Sequence, residues 1–188
     1  MADQLYLSYW LHGYSEQNML RHYEKMLRLF PFSQLSRQAG VFRIIPVSFN
    51  EPAVFERAYP APLIDQILTA AKEFQHPDSC YRLEAAWDLW QFEKDWRIAP
   101  SPVALCCFGP EFETDSGENL RVEFGLDAQF LPQHDLPDSV RLVQSNIKSL
   151  LKLVHDLDDR LSPERRQLWS ESGENFPEKL QQALASHE

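Results

Sequence analysis

The chain has 188 residues, 44% of them apolar and 12% aromatic, enough to bury one core without disulfide or metal staples. Its 28 acidic against 18 basic residues leave a formal charge of −10, a balance that repels nucleic-acid phosphates and anionic membrane surfaces. No apolar run approaches the roughly 20 residues that a membrane helix needs.

Leu5, Leu7, Tyr9 and Leu11 alternate with Tyr6, Ser8 and Trp10, which predicts a well-buried first strand. His12-Gly13-Tyr14 then reads as a turn, and Ser15 as the cap of a helix beginning at Glu16. Leu20, Tyr23, Leu27 and Phe30 form the apolar stripe of that helix, which Pro31 ends. A second strand is expected over residues 41–49, where Pro46 implies an edge position or a bulge. A short third strand is expected over 53–59. After Pro60 and Pro62, the spacing of Leu63, Ile64, Ile67, Leu68, Ala71 and Phe74 predicts a second helix.

Residues 80–92 fit two periods. Tyr81, Leu83, Ala85, Trp87 and Leu89 alternate as in a strand, while Leu83, Ala86, Trp87 and Trp90 also fit a helix. The strand reading is preferred. Residues 103–108, which follow Pro100 and Pro102, read as a short buried strand. Residues 115–118 read as a hairpin turn, and 120–127 as a half-buried strand. Asp138 is placed to cap a long helix whose stripe runs through Val140, Val143, Ile147, Leu150, Leu151, Val154, Leu157 and Leu161. Beyond Ser162 the chain turns polar, with Trp169, Phe176, Leu180 and Leu184 as occasional anchors.

The fold class expected is therefore α+β: a mixed or antiparallel sheet with helices mainly on one face. The first half has the ferredoxin-like element order β-α-β-β-α-β, followed by β-β-α and a helical C-terminal tail. A single domain is expected over 1–161, and a helical or partly disordered tail over 162–188. The first four residues lack the basic start of a signal peptide. Cys80, Cys106 and Cys107 read as reduced core thiols, so a cytoplasmic location is expected.

The sequence contains no GxGxxG, GxxxxGK[ST], GxSxG, HExxH or CxxC motif, and neither cofactor nor metal is expected. Three weaker constellations stand out. Tyr81-Arg82-Leu83-Glu84 with Asp88 parallels Leu120-Arg121-Val122-Glu123 with Asp127. On neighbouring strands, Glu84, Asp88, Glu123 and Asp127 could bind a hard cation or do general acid–base work. The competing reading is a solvated face of cross-strand Arg–carboxylate pairs. The second constellation, His12 and Tyr14, sits where a strand hands over to a helix, a position that can hold an acid–base group and a donor. The third is a surplus of aromatics, with Trp10, Trp90 and Trp96 the candidates to line a pocket or an interface, the competing reading being core beneath a second layer of helices. His22, His134 and His155 read as ordinary surface or boundary residues.

The function expected from these features is a non-enzymatic module that binds a partner protein or itself through an acidic, aromatic surface. One alternative is a small carboxylate/His hydrolase or isomerase. Another is a carrier of apolar small ligands. Nucleic-acid and membrane partners are disfavoured by the charge.

Overall fold

The computed structural model describes residues 2–133, 135–173 and 176–185, which leaves His134 outside. Among these residues seven strands form: β1 (Gln4–Trp10), β2 (Gly40–Pro46), β3 (Phe55–Tyr59), β4 (Ser79–Phe92), β5 (Trp96–Phe108), β6 (Leu120–Leu126) and β7 (Arg165–Ser170). Four helices accompany them: α1 (Glu16–Leu29), α2 (Ile64–Glu73), α3 (Ser139–Leu161) and α4 (Phe176–Ala185), with a 3-10 turn at Asp127–Phe130. No described helix is long and apolar enough to cross a membrane.

All seven strands join one sheet in the order β3-β2-β4-β5-β6-β1-β7, and every neighbouring pair is antiparallel. The register places Leu7 opposite both Val122 and Leu168, Leu105 opposite both Leu83 and Val122, and Phe42 opposite Leu83. Partners opposite one another share a face, so one side of the sheet is apolar from β2 to β7. The buried faces of α1, α2, α3 and α4 pack on that side in one continuous core. The helix α1 contacts β5 and is flanked by α2 and α3. At its start, Asn18 Oδ1 accepts the Ser15 N–H at 2.9 Å and Asn18 Nδ2 donates to the Gly13 carbonyl at 2.8 Å. The turn and the helix are thereby locked together.

The α+β class with an antiparallel sheet is observed, and residues 80–92 are a strand. Three expectations need correction. First, the strands are not arranged as a ferredoxin-like unit, because β4 pairs with β2 and both β5 and β6 lie between it and β1. Second, residues 165–170, read as helical tail, form β7 and pair with β1 along their whole length. A strand that buries only Leu168 and Ser170 and carries Arg165, Arg166 and Gln167 exposed shows no readable alternation. Third, β5 begins at Trp96 and runs through both prolines rather than starting at Val103. The Ala86 carbonyl accepts the Ser33 N–H, so Ala86 turns its backbone groups away from β5. Its partner Pro102, and Pro100 two residues along, are therefore at positions where β5 offers no N–H to β4. Their nitrogens face the side of β5 that β6 leaves free, because β6 pairing ends at Ala104.

Pro46 is the last residue of β2, and Val47 after it adopts φ 65°, a left-handed conformation that a β-branched residue rarely takes. Two hydrogen bonds hold it: Val47 N–H to the Asp78 carbonyl and Glu113 N–H to the Val47 carbonyl, both 2.9 Å. Gly109 lies in the same packed corner. A Cβ there would sit 2.2 Å from the Pro77 carbonyl oxygen, and the Gly109 N–H donates to the Ser79 carbonyl at 2.7 Å. Gly109→Ala should therefore lower the unfolding free energy by about 2 kcal/mol or more, the scale of overpacking against backbone that cannot yield. Gly13→Ala meets no atom within 4 Å and pays only for its φ of 61°, about 1 kcal/mol. Urea denaturation of the two variants checks the order.

Candidate functional site

The side of the sheet opposite the helices carries charge. One rung crosses all seven strands as Glu56, Arg43, Arg82, Cys106, Arg121, Ser8 and Gln167. The next rung holds Glu84, Ala104, Glu123, Tyr6 and Trp169. Glu84 and Glu123 of the second rung reach arginines of the first, and Glu56 and Glu118 extend the row at its two ends into an unbroken chain of ion pairs. Arg43 meets Glu56 at 3.1 Å and Glu84 at 2.6 Å; Arg82 meets Glu84 at 3.4 Å and Glu123 at 2.8 Å. Arg121 then joins Glu123 at 2.8 Å and Glu118 at 3.1 Å. The Arg121 guanidinium also lies 5.4 Å from the Tyr6 and Phe49 ring centres and 5.1 Å from that of Phe108.

Burial alone would raise the Glu123 carboxyl, but Arg82 and Arg121 outweigh it and hold Glu123 below the ordinary carboxylate range. Glu84 is lowered in the same way, with Arg43 and Arg82 overcoming desolvation. The register thus brings Glu84 and Glu123 onto one face, as the paired motifs predict, but as charged partners of arginine.

The other acid candidates are used elsewhere. Asp127 was expected beside Glu123, but Gly125 takes φ 75° and ends the alternation, so Asp127 opens the 3-10 turn. There it is buried, accepting the Asp3 N–H at 3.1 Å with Lys179 Nζ at 3.5 Å. Asp88 reaches over the strand edge. Its carboxylate accepts the Ser33 hydroxyl and the Gln34 N–H, the latter at 3.0 Å. His12 is exposed, 3.9 Å from Glu164. Tyr14 is half-buried with its hydroxyl turned inward, donating to the Phe108 carbonyl at 2.5 Å, and desolvation pushes that hydroxyl well above the ordinary phenol range. His12 and Tyr14 are thus not brought to one site.

The aromatic candidates also separate. Trp10 donates to the Ser116 carbonyl at 3.2 Å with Arg165 over its ring at 4.3 Å. Trp96 donates to the Pro137 carbonyl at 2.7 Å and packs on Phe92, with ring centres 5.4 Å apart. Trp90 pairs with Ile98 across the same hairpin. Of the cysteines, Cys107 is fully buried and its thiol is pushed up to about 12. No group of three or more metal-ligating side chains converges among the described residues.

Sequence reasoning missed a cleft of about 860 Å³ at the margin of the sheet, where β2 parts from β4 beyond the Val41–Glu84 pair. Its lining comes from four distant segments: residues 32–41, 59–62, 83–86 and the two prolines Pro100 and Pro102. Asp88 anchors one wall. Ser33, bound to Asp88, sends its N–H to the Ala86 carbonyl at 2.8 Å, and its Oγ accepts the N–H groups of Leu35 at 3.1 Å and Ser36 at 2.8 Å. The prolines were visible in sequence, but nothing there showed that they face the 32–41 loop.

Comparison of the chain with protein-family models, with curated proteins and with solved structures found no match.

The pKa directions set a pH dependence. Because Glu84 and Glu123 are lowered in the folded state, their contribution is complete above the ordinary glutamate range and drains away as pH falls below it. Stability measured by urea unfolding should decline from about pH 5 downward. Glu123→Gln should be less stable at pH 7 and decline less steeply. Arg82→Met, which leaves Glu84 and Glu123 each short of one partner, should cost about 2 kcal/mol at pH 7.

Proposed function

We propose that the protein is a binding module whose ligand seat is the cleft between the 32–41 loop and the margin of β4. The observation that carries this reading is a preformed concave space. Its volume of about 860 Å³ lies within the 300–1,000 Å³ typical of small-molecule sites, and its walls are mostly apolar. The loop beside it is held by four hydrogen bonds centred on Ser33, so little ordering would be needed when a ligand enters. The carboxylates that an acid–base mechanism would need are engaged by Arg43, Arg82 and Arg121, which favours binding over catalysis. This is the carrier reading of the sequence, moved from the tryptophans to a different place.

A two-dimensional amide spectrum during titration with 2-naphthalenemethanol tests it. Shifts concentrated at residues 33–41, 59–61 and 83–86 are expected, and Ala86→Trp, which fills the space, should abolish them. Shifts confined to other surfaces, or unchanged by that variant, would remove the cleft as the seat.

A protein partner remains a second reading, favoured by one patch. At the β4–β5 hairpin end, Phe92 and Ile98 are 37% and 47% exposed beside the half-buried Trp90 and Trp96. Aromatic anchors of this kind are common at interface centres, and the charge of −10 would steer in a basic partner. Self-association through the patch should appear in sedimentation as a dimer that Phe92→Ser with Ile98→Ser converts to monomer. A wild-type monomer at high protein concentration would rule out the homodimer form of this reading.

A further inference from the structure

We infer that the ligand of this cleft is an aromatic monocarboxylate, held by its carboxylate on Arg37 and by its ring between proline and aromatic walls. This rests on the reading of the cleft as a ligand seat and adds the chemistry of what it takes.

The charge argument comes first. A chain of net charge −10 repels anions at long range, so an anion can be held only where a local cation is free of internal carboxylates. Arg43, Arg82 and Arg121 are each spent on two glutamates. Arg37 lines the cleft, is exposed, and forms no ion pair among the described residues. Glu84 also borders the space, but Arg43 and Arg82 occupy its carboxylate, so it does not cancel Arg37. A planar guanidinium matches a carboxylate with two parallel hydrogen bonds, a geometry that a neutral oxygen cannot fill. Ser36 stands next to Arg37 in the lining. Its Oγ accepts the Gln38 N–H at 3.3 Å, which leaves the hydroxyl proton to donate.

The shape argument concerns the other end of the ligand. Phe32, Tyr59, Pro60, Pro62, Pro100 and Pro102 supply much of the apolar lining. Proline and aromatic side chains are flat and lose little rotamer freedom when covered, so they suit a rigid planar body better than a flexible chain. Asp88 and Ser33 fix the backbone of the loop that carries Phe32 and Arg37, so the Arg37 side chain starts from a held stretch of chain beside those walls.

Isothermal titration of the full chain at pH 7 with 2-naphthoate and with 2-naphthalenemethanol tests the inference, since the two probes differ only in the carboxylate. Naphthoate is expected to bind about tenfold more tightly, the scale of one charge-assisted contact. Arg37→Gln should bring naphthoate to the affinity of the alcohol and leave the alcohol unchanged. Its melting temperature should match that of the parent chain, because Arg37 holds no ion pair to lose. Equal affinity for both probes, or a preference for the acid that survives Arg37→Gln, would overturn the carboxylate assignment while the cleft remains a ligand seat. If neither probe binds, the seat itself is refuted.

Discussion

A sheet has two faces, and the four described helices all cover the same one. The remaining face must be stable in water without a second layer, and the alternating chain from Glu56 to Glu118 is how that is met. Exposed single ion pairs contribute little, but here each arginine serves two carboxylates and the central members are about four-fifths buried, which limits screening. Aromatic rings complete the cover at one end. Tyr6 packs on Trp169 with ring centres 4.5 Å apart, and Phe49 and Phe112 close over Phe108. A small second cluster of Ile45, Cys80, Cys106, Phe108 and Phe112 forms beneath.

The same constraint explains where a ligand could go. Charge and aromatic cover occupy the middle of the uncovered face, and the strands there are tied edge to edge. The sheet opens only at its margin, where β2 is short and β4 continues alone with β5. A space at that place costs no central pairing, and its lining can be loops and prolines instead of ladder-forming strand.

Much of this architecture was legible because period-two patterning survives in the chain. Leu120, Val122 and Phe124 bury one side of β6 while Arg121 and Glu123 face the other, as their alternation requires. The shared apolar-Arg-apolar-Glu motif correctly placed Glu84 and Glu123 on one face, because register carries a motif on one strand to its neighbours. It failed at Asp127, where one glycine with positive φ broke the alternation. Strand order was not legible at all: β-α-β-β-α-β describes succession along the chain, and nothing local states that β4 seeks β2 instead of β1. The cleft was hidden for the same reason, since its walls meet only after residues 32–41, 59–62, 83–86 and 100–102 are folded together.

Asn146 of α3 has a consequence for the molecule in a crowded solution. Its side-chain amide accepts the Trp90 N–H at 2.8 Å and donates to the Trp90 carbonyl at 2.9 Å, imitating the missing strand beside β4. Together with the Ser33 N–H on Ala86, it stoppers a border that would otherwise recruit extended segments of other molecules into fibrous or clumped species. Docking of α3 is thus also a guard on colloidal behaviour: any fluctuation that lifts this helix uncovers apolar surface and a sticky backbone at the same moment.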